Sequence, residues 1–264
     1  MADKPMAHPN SILEFWEERA KHLEKAGTND LLAKQLEIEA IANYLRDGMH
    51  VLDVGCGNGV TAIELARRFR IQITGLDFAA EMIAAGTRAQ DRAKLKGTLR
   101  FQVADIRDPL IVSAHLGRYD LVYTERVLIN LADWPSQRRA IVDIASFLKV
   151  GGLYVMCENS QDGLGEINNL REMVGLYRIE PPWHNRYLRD SEINSEKFDT
   201  LELEQVVHYG STYYFLSRIV NAALAATQGT EPDYLSLINQ LALRLPPLFK
   251  FGQGRIWLWR KIGS

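Results

Sequence analysis

Three glycines and three carboxylates supply the most specific chemical pattern in the chain. Gly55, Gly57 and Gly59 stand at alternate positions after the apolar run Val51, Leu52 and Val54, and a helical pattern (Ala62, Ile63, Leu65, Ala66, Phe69) begins just behind them. A strand, loop and helix in this order let the backbone approach a ligand closely and point unpaired N–H groups at it. A glycine-rich turn without a ligand is the plainer alternative, but a turn rarely needs three glycines at this spacing. Roughly twenty residues further on, Ile71 to Leu76 reads as a second strand ending in Asp77, a carboxylate placed to take two ribose hydroxyls.

The third glycine decides which nucleotide fits. The dinucleotide fingerprint is G-x-G-x-x-G, and here Val60 occupies the place of its last glycine. NAD is therefore the weaker choice, and the chain also lacks a Tyr-x-x-x-Lys dyad. With Val51-Leu52-Asp53-Val54-Gly55-Cys56-Gly57-Asn58-Gly59, then Leu76-Asp77-Phe78, then Val103-Ala104-Asp105-Ile106, the sequence resembles the class I S-adenosylmethionine-dependent methyltransferases. That resemblance implies S-adenosylmethionine as cofactor, held by Asp53, Gly55, Gly57 and Gly59, with Asp77 on the ribose. It implies that Asp105 accepts from the adenine amino group while Ile106 packs on the ring; a turn or helix cap beside Asp108-Pro109 is the alternative for Asp105. Phe78 and Met82 either floor the adenine pocket or belong to the ordinary core.

The elements that must position these groups follow from periodicity. Strands are expected at 50–54, 71–76, 99–104, 119–123, 153–157, about 198–208 and around Arg255–Lys261, with helices at about 58–69 and 79–94 and another opened by Asp133-Trp134-Pro135. Alternating strands and helices with short connections give an α/β fold with a parallel sheet. The resemblance adds a Rossmann-like seven-stranded sheet of order 3-2-1-4-5-7-6 with the seventh strand antiparallel. Lys149-Val150-Gly151-Gly152 looks like the family's Gly-Gly turn before strand five. Residues 1–9 read as a mobile tail. A helix from a capping box at Ser11-Ile12-Leu13-Glu14 and a second over about 30–46 form an N-terminal helical cap, residues 1–47, before a methyltransferase domain over 48–264. By the same resemblance Trp16 and Arg19 face the methionine end of the cofactor, Arg19 pairing with its carboxylate. Core packing for Trp16 and a solvated charge for Arg19 are equally open.

Residues 158–196 break the alternation, with a helix expected around Glu166 to Gly175. Long insertions on α/β scaffolds are usually functional, so this segment is the candidate acceptor lid. It carries Arg171 and Trp183-His184-Asn185-Arg186-Tyr187; strand four runs into Thr124-Glu125-Arg126-Val127-Leu128-Ile129-Asn130, and Tyr213 follows strand six. Helices are expected at about 212–227 and 232–245. A hydroxyl acceptor needs a proton acceptor near it, and His184 and Glu125 are the candidates. Each has a plainer reading, His184 as a structural or surface histidine and Glu125 as the partner of Arg126. Arg126, Arg171, Arg186 and Arg189, together with His184, suggest an anionic acceptor, with Asn130, Asn185, Tyr187 and Tyr213 as further contacts. Solvated lid charges are the alternative. A looser similarity to bacterial methyltransferases of surface-polysaccharide pathways favours a sugar, phosphosugar, phosphate or carboxylate acceptor. There is no Asn/Asp-Pro-Pro-Tyr for base N-methylation and no carboxylate set for a divalent cation, so metal-independent O-methylation is expected. An NAD-linked oxidoreductase and a non-catalytic S-adenosylmethionine-binding protein remain the competing readings.

Bulk properties narrow the partners. The 264 residues are 47% hydrophobic and 24% charged with a net charge of −2, which provides no field for a polyanion, so nucleic acid is not expected as substrate. No apolar run approaches bilayer length and the N-terminus lacks a signal-peptide layout, so a cytoplasmic protein without membrane association is expected. Cys56 and Cys157 fall at strand ends about 10 Å apart and are expected as free thiols.

Overall fold

The structure, a computed structural model, describes residues 9–263. Its centre is a seven-stranded sheet of order β3-β2-β1-β4-β5-β7-β6, as the family resemblance implies. The strands are β1 His50–Val54, β2 Gln72–Asp77, β3 Thr98–Val103, β4 Tyr119–Glu125, β5 Leu148–Asn159, β6 Leu201–Val207 and β7 Gly254–Lys261. Strands β1 to β5 pair in parallel, whereas β7 runs antiparallel between β5 and β6. Parallel register aligns the carboxyl ends: Asp53 lies across from Tyr123 and Gly75, and Asp77 from Val103. The loops that follow therefore open on one edge of the sheet, where ligands of open α/β sheets bind.

Side-chain alternation builds a core on each face. Leu52, Val54, Val122, Tyr154, Met156 and Trp257 bury against Ile141, Ile144 and Phe147 of α6 (Trp134–Phe147). Val51, Ile73, Tyr123, Val155 and Ile256 bury against Leu65 of α3 (Val60–Arg68) and Ile38 and Ile41 of α2 (Leu31–Ala42). The first helix, α1, spans Pro9–Arg19 and passes into a tighter turn at Ala20–Lys25, so it starts two residues before Ser11. The expected tail otherwise lies outside the described residues, as does the side chain of Ser11. Glu17 of α1 accepts from the backbone amides of Ala80 and Glu81, capping α4 (Ala80–Gln90) and fastening α1 over that side of the sheet.

Several boundaries differ from expectation for local reasons. Helix α4 ends at Gln90, not near residue 94. Gly151-Gly152 does not precede β5 but lies within it, as a bulge where Tyr119 pairs with Leu148 and Leu121 with Leu153, with Gly151 at φ 84°. Two short helices carry too little periodicity to be read: α5 (Pro109–His115), capped by Asp108, and α8 (Asp190–Ser195), which follows α7 (Gln161–Met173). The helix expected over 212–227 is α9 (Ser211–Phe215), a π-helical turn at Leu216–Asn221, and α10 (Ala222–Thr227). The last helix is only α11 (Leu237–Ala242). Both cysteines are free, and no helix among the described residues is long and apolar enough to cross a membrane.

Candidate active site

A cavity of about 1150 Å³ opens at the carboxyl ends of β1, β2 and β4. Its floor is the glycine loop. Gly55, Gly57 and Gly59 all have left-handed backbones (φ 70°, 53° and 74°), and the Gly55 and Cys56 amides both donate to the Leu76 carbonyl at 2.7 and 2.9 Å. The outer two glycines are required by packing: a Cβ on Gly55 would stand 2.4 Å from Val127, and one on Gly59 2.1 Å from Phe101. A Cβ on Gly57 would meet nothing within 4 Å, so open space begins at the middle of the loop.

Carboxylates at the strand tips face this space. The Gly57 amide donates to Asp77 Oδ2 at 2.8 Å and the Ala79 amide to Oδ1 at 2.9 Å, so the tip of β2 holds the loop in place. Burial raises the Asp77 carboxyl to about 6. Asp53 is more deeply enclosed; it accepts from the Tyr123 hydroxyl at 2.7 Å, and burial lifts it to about 8. A buried carboxyl so raised suits a cationic ligand, which would restore its charge. Phe78, Met82, Asp105 and Ile106 line the same cavity. Burial raises the Asp105 carboxyl, but the two-pronged contact from Arg107, at 2.6 to 3.0 Å, outweighs it and holds the group below the usual range.

The cap helices close the cavity from above. Trp16 lines it and packs with Leu13 on Met82 and Ala79. Arg19 also lines it, but its guanidinium is committed to backbone carbonyls, with Nε to Ala26 at 2.8 Å and Nη2 to Lys25. A charged group reaches further in. Glu125 at the end of β4 accepts from Lys34 Nζ at 2.5 Å and from Thr61 Oγ1 at 2.6 Å, and Arg126 lies 3.7 Å away. Burial opposes its charge, but Lys34, Glu37 and Arg126 prevail and hold it near 2. Burial drives neighbouring Glu37 the other way, to about 8, so one proton is retained between the two carboxyls at neutral pH. Arg126, the one non-glycine residue among those described with a left-handed backbone (φ 58°), reaches Glu37 at 3.3 Å and donates to the Gly27 carbonyl at 2.9 Å.

The insertion after β5 supplies the remaining wall. The Arg186 amide donates to the Ile129 carbonyl, the Leu188 amide to Asn159, and fully buried Gln137 donates to the carbonyls of Leu128 and Arg186. These bonds pin 185–188 against the turn after β4. His184 lies tilted by 36° against Phe15, with centroids 4.3 Å apart, and meets Trp16 and Trp183 edge-on at 5.6 and 5.3 Å. Burial, helped by Arg19, lowers its pKa to about 4, and its Nδ1 is buried without a hydrogen-bond partner. Asn130, Asn185 and Tyr187 also line the cavity. Arg171, Arg186 and Tyr213 do not, contrary to expectation. Arg171 donates to the carbonyls of Tyr177 and Arg218; Arg186 is taken by Gln137 and Glu192; the Tyr213 hydroxyl donates to Asp30 at 2.6 Å. Each is directed away from the cavity into contacts that hold loops together.

Several cavity residues escaped the sequence reading: Asp30, Lys34, Glu37, Thr61, Arg218 and Tyr234. Asp30, Lys34 and Glu37 recur at helical spacing along α2, a polar stripe that was legible beside the apolar face of Ile38, Ile41 and Leu45. Glu158, buried at the end of β5, was also missed; it accepts from the amides of Val127 and Leu128 at 3.1 Å and shapes the turn carrying Asn130. Among the described residues no three His, Cys, Asp or Glu side chains group as metal ligands.

Comparison with known proteins agrees with this geometry. The methyltransferase-domain family matches residues 45–209, more than half of the chain. The O-methyltransferase cnsE of Penicillium expansum is 26% identical over 148 residues, covering 56% of this chain and 50% of that protein. A ubiquinone biosynthesis O-methyltransferase of Psychrobacter cryohalolentis is 34% identical over 110 residues, covering 41% of this chain and 40% of that protein. The chain thus spans about half the length of the curated relatives it matches, or less. Among solved structures, magnesium protoporphyrin IX methyltransferase of Synechocystis, crystallised with S-adenosylhomocysteine, superposes with a TM-score of 0.60 at 15% identity over 96% of this chain and all of that one. Loop, strand-tip carboxylates, sheet order and family match coincide, and the chain belongs to the class I S-adenosylmethionine-dependent methyltransferases.

Proposed function

We propose that this protein is an O-methyltransferase that moves the methyl group of S-adenosylmethionine to a hydroxyl of a small, ring-bearing acceptor. The observation that carries the reading is His184. Its neutral imidazole lines the same cavity as the glycine loop and the carboxylates Asp53, Asp77 and Asp105, and its buried Nδ1 has no hydrogen-bond partner to fix the ring's proton elsewhere. Bound S-adenosylmethionine supplies an activated methyl on a good leaving group. In this reading Asp77 and the loop amides take the ribose, Asp105 and Ile106 the adenine, and Asp53 the positively charged end, with Lys34 and Arg126 toward the methionine carboxylate; all line the one cavity. Arg19, tied to its own turn, is a poorer partner for that carboxylate.

Catalysis then rests on positioning, with the reacting oxygen held roughly 3–3.5 Å from the methyl carbon. His184 takes the hydroxyl proton; Glu125 does not, because its ion pair with Lys34 holds it ionised near 2 and makes it a weak base. The cavity matches or exceeds the roughly 300–1,000 Å³ of single-ligand pockets, leaving room for donor and acceptor together. Phe15, Trp16 and Trp183 offer flat apolar walls that suit an aromatic ring or the apolar face of a sugar. The curated relatives named above are O-methyltransferases, which supports this class of reaction.

The test is S-adenosylhomocysteine release from the purified chain with S-adenosylmethionine and a panel of hydroxybenzoates, catechols, uronic acids and sugar phosphates. Acceptor-dependent release that is lost in His184→Ala supports the reading. Cofactor binding without release on any hydroxyl acceptor would leave a binding protein in its place.

A further inference from the structure

The acceptor side of the cavity holds one cation that the fold goes out of its way to place there. Arg218 lies in the π-helical turn Leu216–Asn221, and such single-turn insertions frequently mark functional sites. Arg218 lines the cavity together with Tyr214 and Tyr234. It stands over three tyrosine rings, 5.0 Å from the centroid of Tyr234, 5.6 Å from Tyr214 and 5.9 Å from Tyr213. Nη2 donates to Asp30 Oδ2 at 2.6 Å and Nη1 to Ser217 Oγ at 2.7 Å, which leaves N–H donors of the guanidinium for another partner.

Local charge is unbalanced. Asp30 is the carboxylate in contact with Arg218, and it already accepts from the Tyr213 hydroxyl at 2.6 Å and the Ala33 amide at 3.0 Å. Behind Arg218, Arg171 donates to the Arg218 and Tyr177 carbonyls and, among the described residues, has no carboxylate partner. Asp30 thus pairs with Arg218, and Arg171 adds a second positive charge beside that pair. Burial, and then the nearby Arg218, lower the pKa of Arg171.

We infer that Arg218 is a specificity-determining residue that anchors an oxyanion of the acceptor, a carboxylate or phosphate, at the end of the cavity walled by α2, the π turn and Tyr234. This rests on the reading of the cavity as a hydroxyl-acceptor site. The aromatic walls hold the ring, Arg218 fixes the acidic substituent, and the hydroxyl is turned toward the methyl donor. The anionic acceptor expected from the lid arginines returns here on a different residue, because Arg171 supplies charge from behind while Arg186 is spent elsewhere.

Initial rates with 4-hydroxybenzoate and 4-hydroxyphenyl phosphate, each against neutral 4-hydroxybenzamide, test the anchor and show which oxyanion it takes. The wild-type protein is expected to favour one acid over the amide by about tenfold or more in kcat/KM, mainly through KM, and Arg218→Gln to bring that ratio to about one, with Arg218→Lys between. Equal use of acids and amide by the wild type, or an acid preference that survives in Arg218→Gln, overturns the inference. If no phenol is methylated, the O-methylation reading fails for this class. The anchor is then read from quenching of tryptophan fluorescence by the same three compounds on the S-adenosylhomocysteine-loaded protein. Acid binding that exceeds amide binding and is lost in Arg218→Gln supports it; equal binding, or none, contradicts it. Since Arg218→Gln leaves Asp30 short of a partner, its fold is checked by S-adenosylhomocysteine affinity, and the wild-type comparison stands without it.

Discussion

The amide of Gly57 donates to the carboxylate of Asp77 at 2.8 Å, which makes the glycine loop after β1 and the tip of β2 one unit. Neither half of the motif is set alone: the loop adopts its three left-handed residues against a carboxylate twenty positions away in sequence, and that carboxylate is aimed at the cavity by the loop.

The three glycines differ in why they are needed, and alanine separates the reasons. Gly59→Ala places a Cβ 2.1 Å from Phe101 at φ 74° and is expected to cost about 2–4 kcal/mol of stability. Gly57→Ala, with nothing within 4 Å, costs about 1–2 kcal/mol from backbone strain alone, but its methyl enters the open space of the cavity. Urea melts and S-adenosylhomocysteine titrations check both. A Gly57→Ala protein that binds S-adenosylhomocysteine as tightly as the wild type contradicts the placement of the cofactor over the loop.

Arg126 carries a strained backbone held by its ion pairs. Both Arg126→Ala and Arg126→Gly remove the guanidinium, but glycine also relieves the left-handed conformation. Arg126→Gly is expected to be about 1 kcal/mol more stable than Arg126→Ala by denaturant unfolding. Equal stabilities show that the turn relaxes once the pairs are gone.

Glu37 makes stability depend on pH. Its pKa is about 8 in the folded protein, raised by burial from 4.5. A group raised on folding stabilises fully below its unfolded value, and that contribution is lost as pH climbs through the folded value. Stability is therefore expected to fall between pH 4.5 and 8, by on the order of a few kcal/mol. Glu37→Gln, which mimics the protonated form, makes that slope shallower in unfolding curves at pH 5, 6.5 and 8, with the raised carboxyls of Asp53 and Glu158 supplying the remainder. An unchanged slope assigns the proton elsewhere.

His184 is lowered to about 4, so the neutral form that accepts a proton persists well below the usual histidine range. The acid limb of kcat/KM is expected near pH 4 to 5 and not near 6.5. His184→Ala is expected to reduce turnover by about 10²–10⁴-fold with S-adenosylhomocysteine affinity retained. A variant that keeps its turnover removes the imidazole from the reaction.

Most of the sheet was readable because its signals are local. Val51, Leu52 and Val54 before Gly55, and Asp77 ending an apolar run, fix strand, turn and helix within short windows, and parallel pairing then brings the tips together. The acceptor side depends on contacts distant in sequence. Whether Arg186 faces the cavity turns on Gln137, 49 residues away, and the position of Arg218 on Asp30, 188 residues away. Residue type showed that arginines were present, but not which carboxylate or carbonyl would claim them. Helices as short as α5 and α8 left too few turns for periodicity to show.

Calorimetric titration with S-adenosylhomocysteine, run beside NAD on the wild type and on Asp77→Ala, tests most directly whether the three strand tips grip an adenosine. The account predicts saturable binding of S-adenosylhomocysteine to one site, weakened in Asp77→Ala by about 1–3 kcal/mol, and no binding of NAD. Binding of NAD in its place, or S-adenosylhomocysteine affinity untouched by the loss of Asp77, would contradict it.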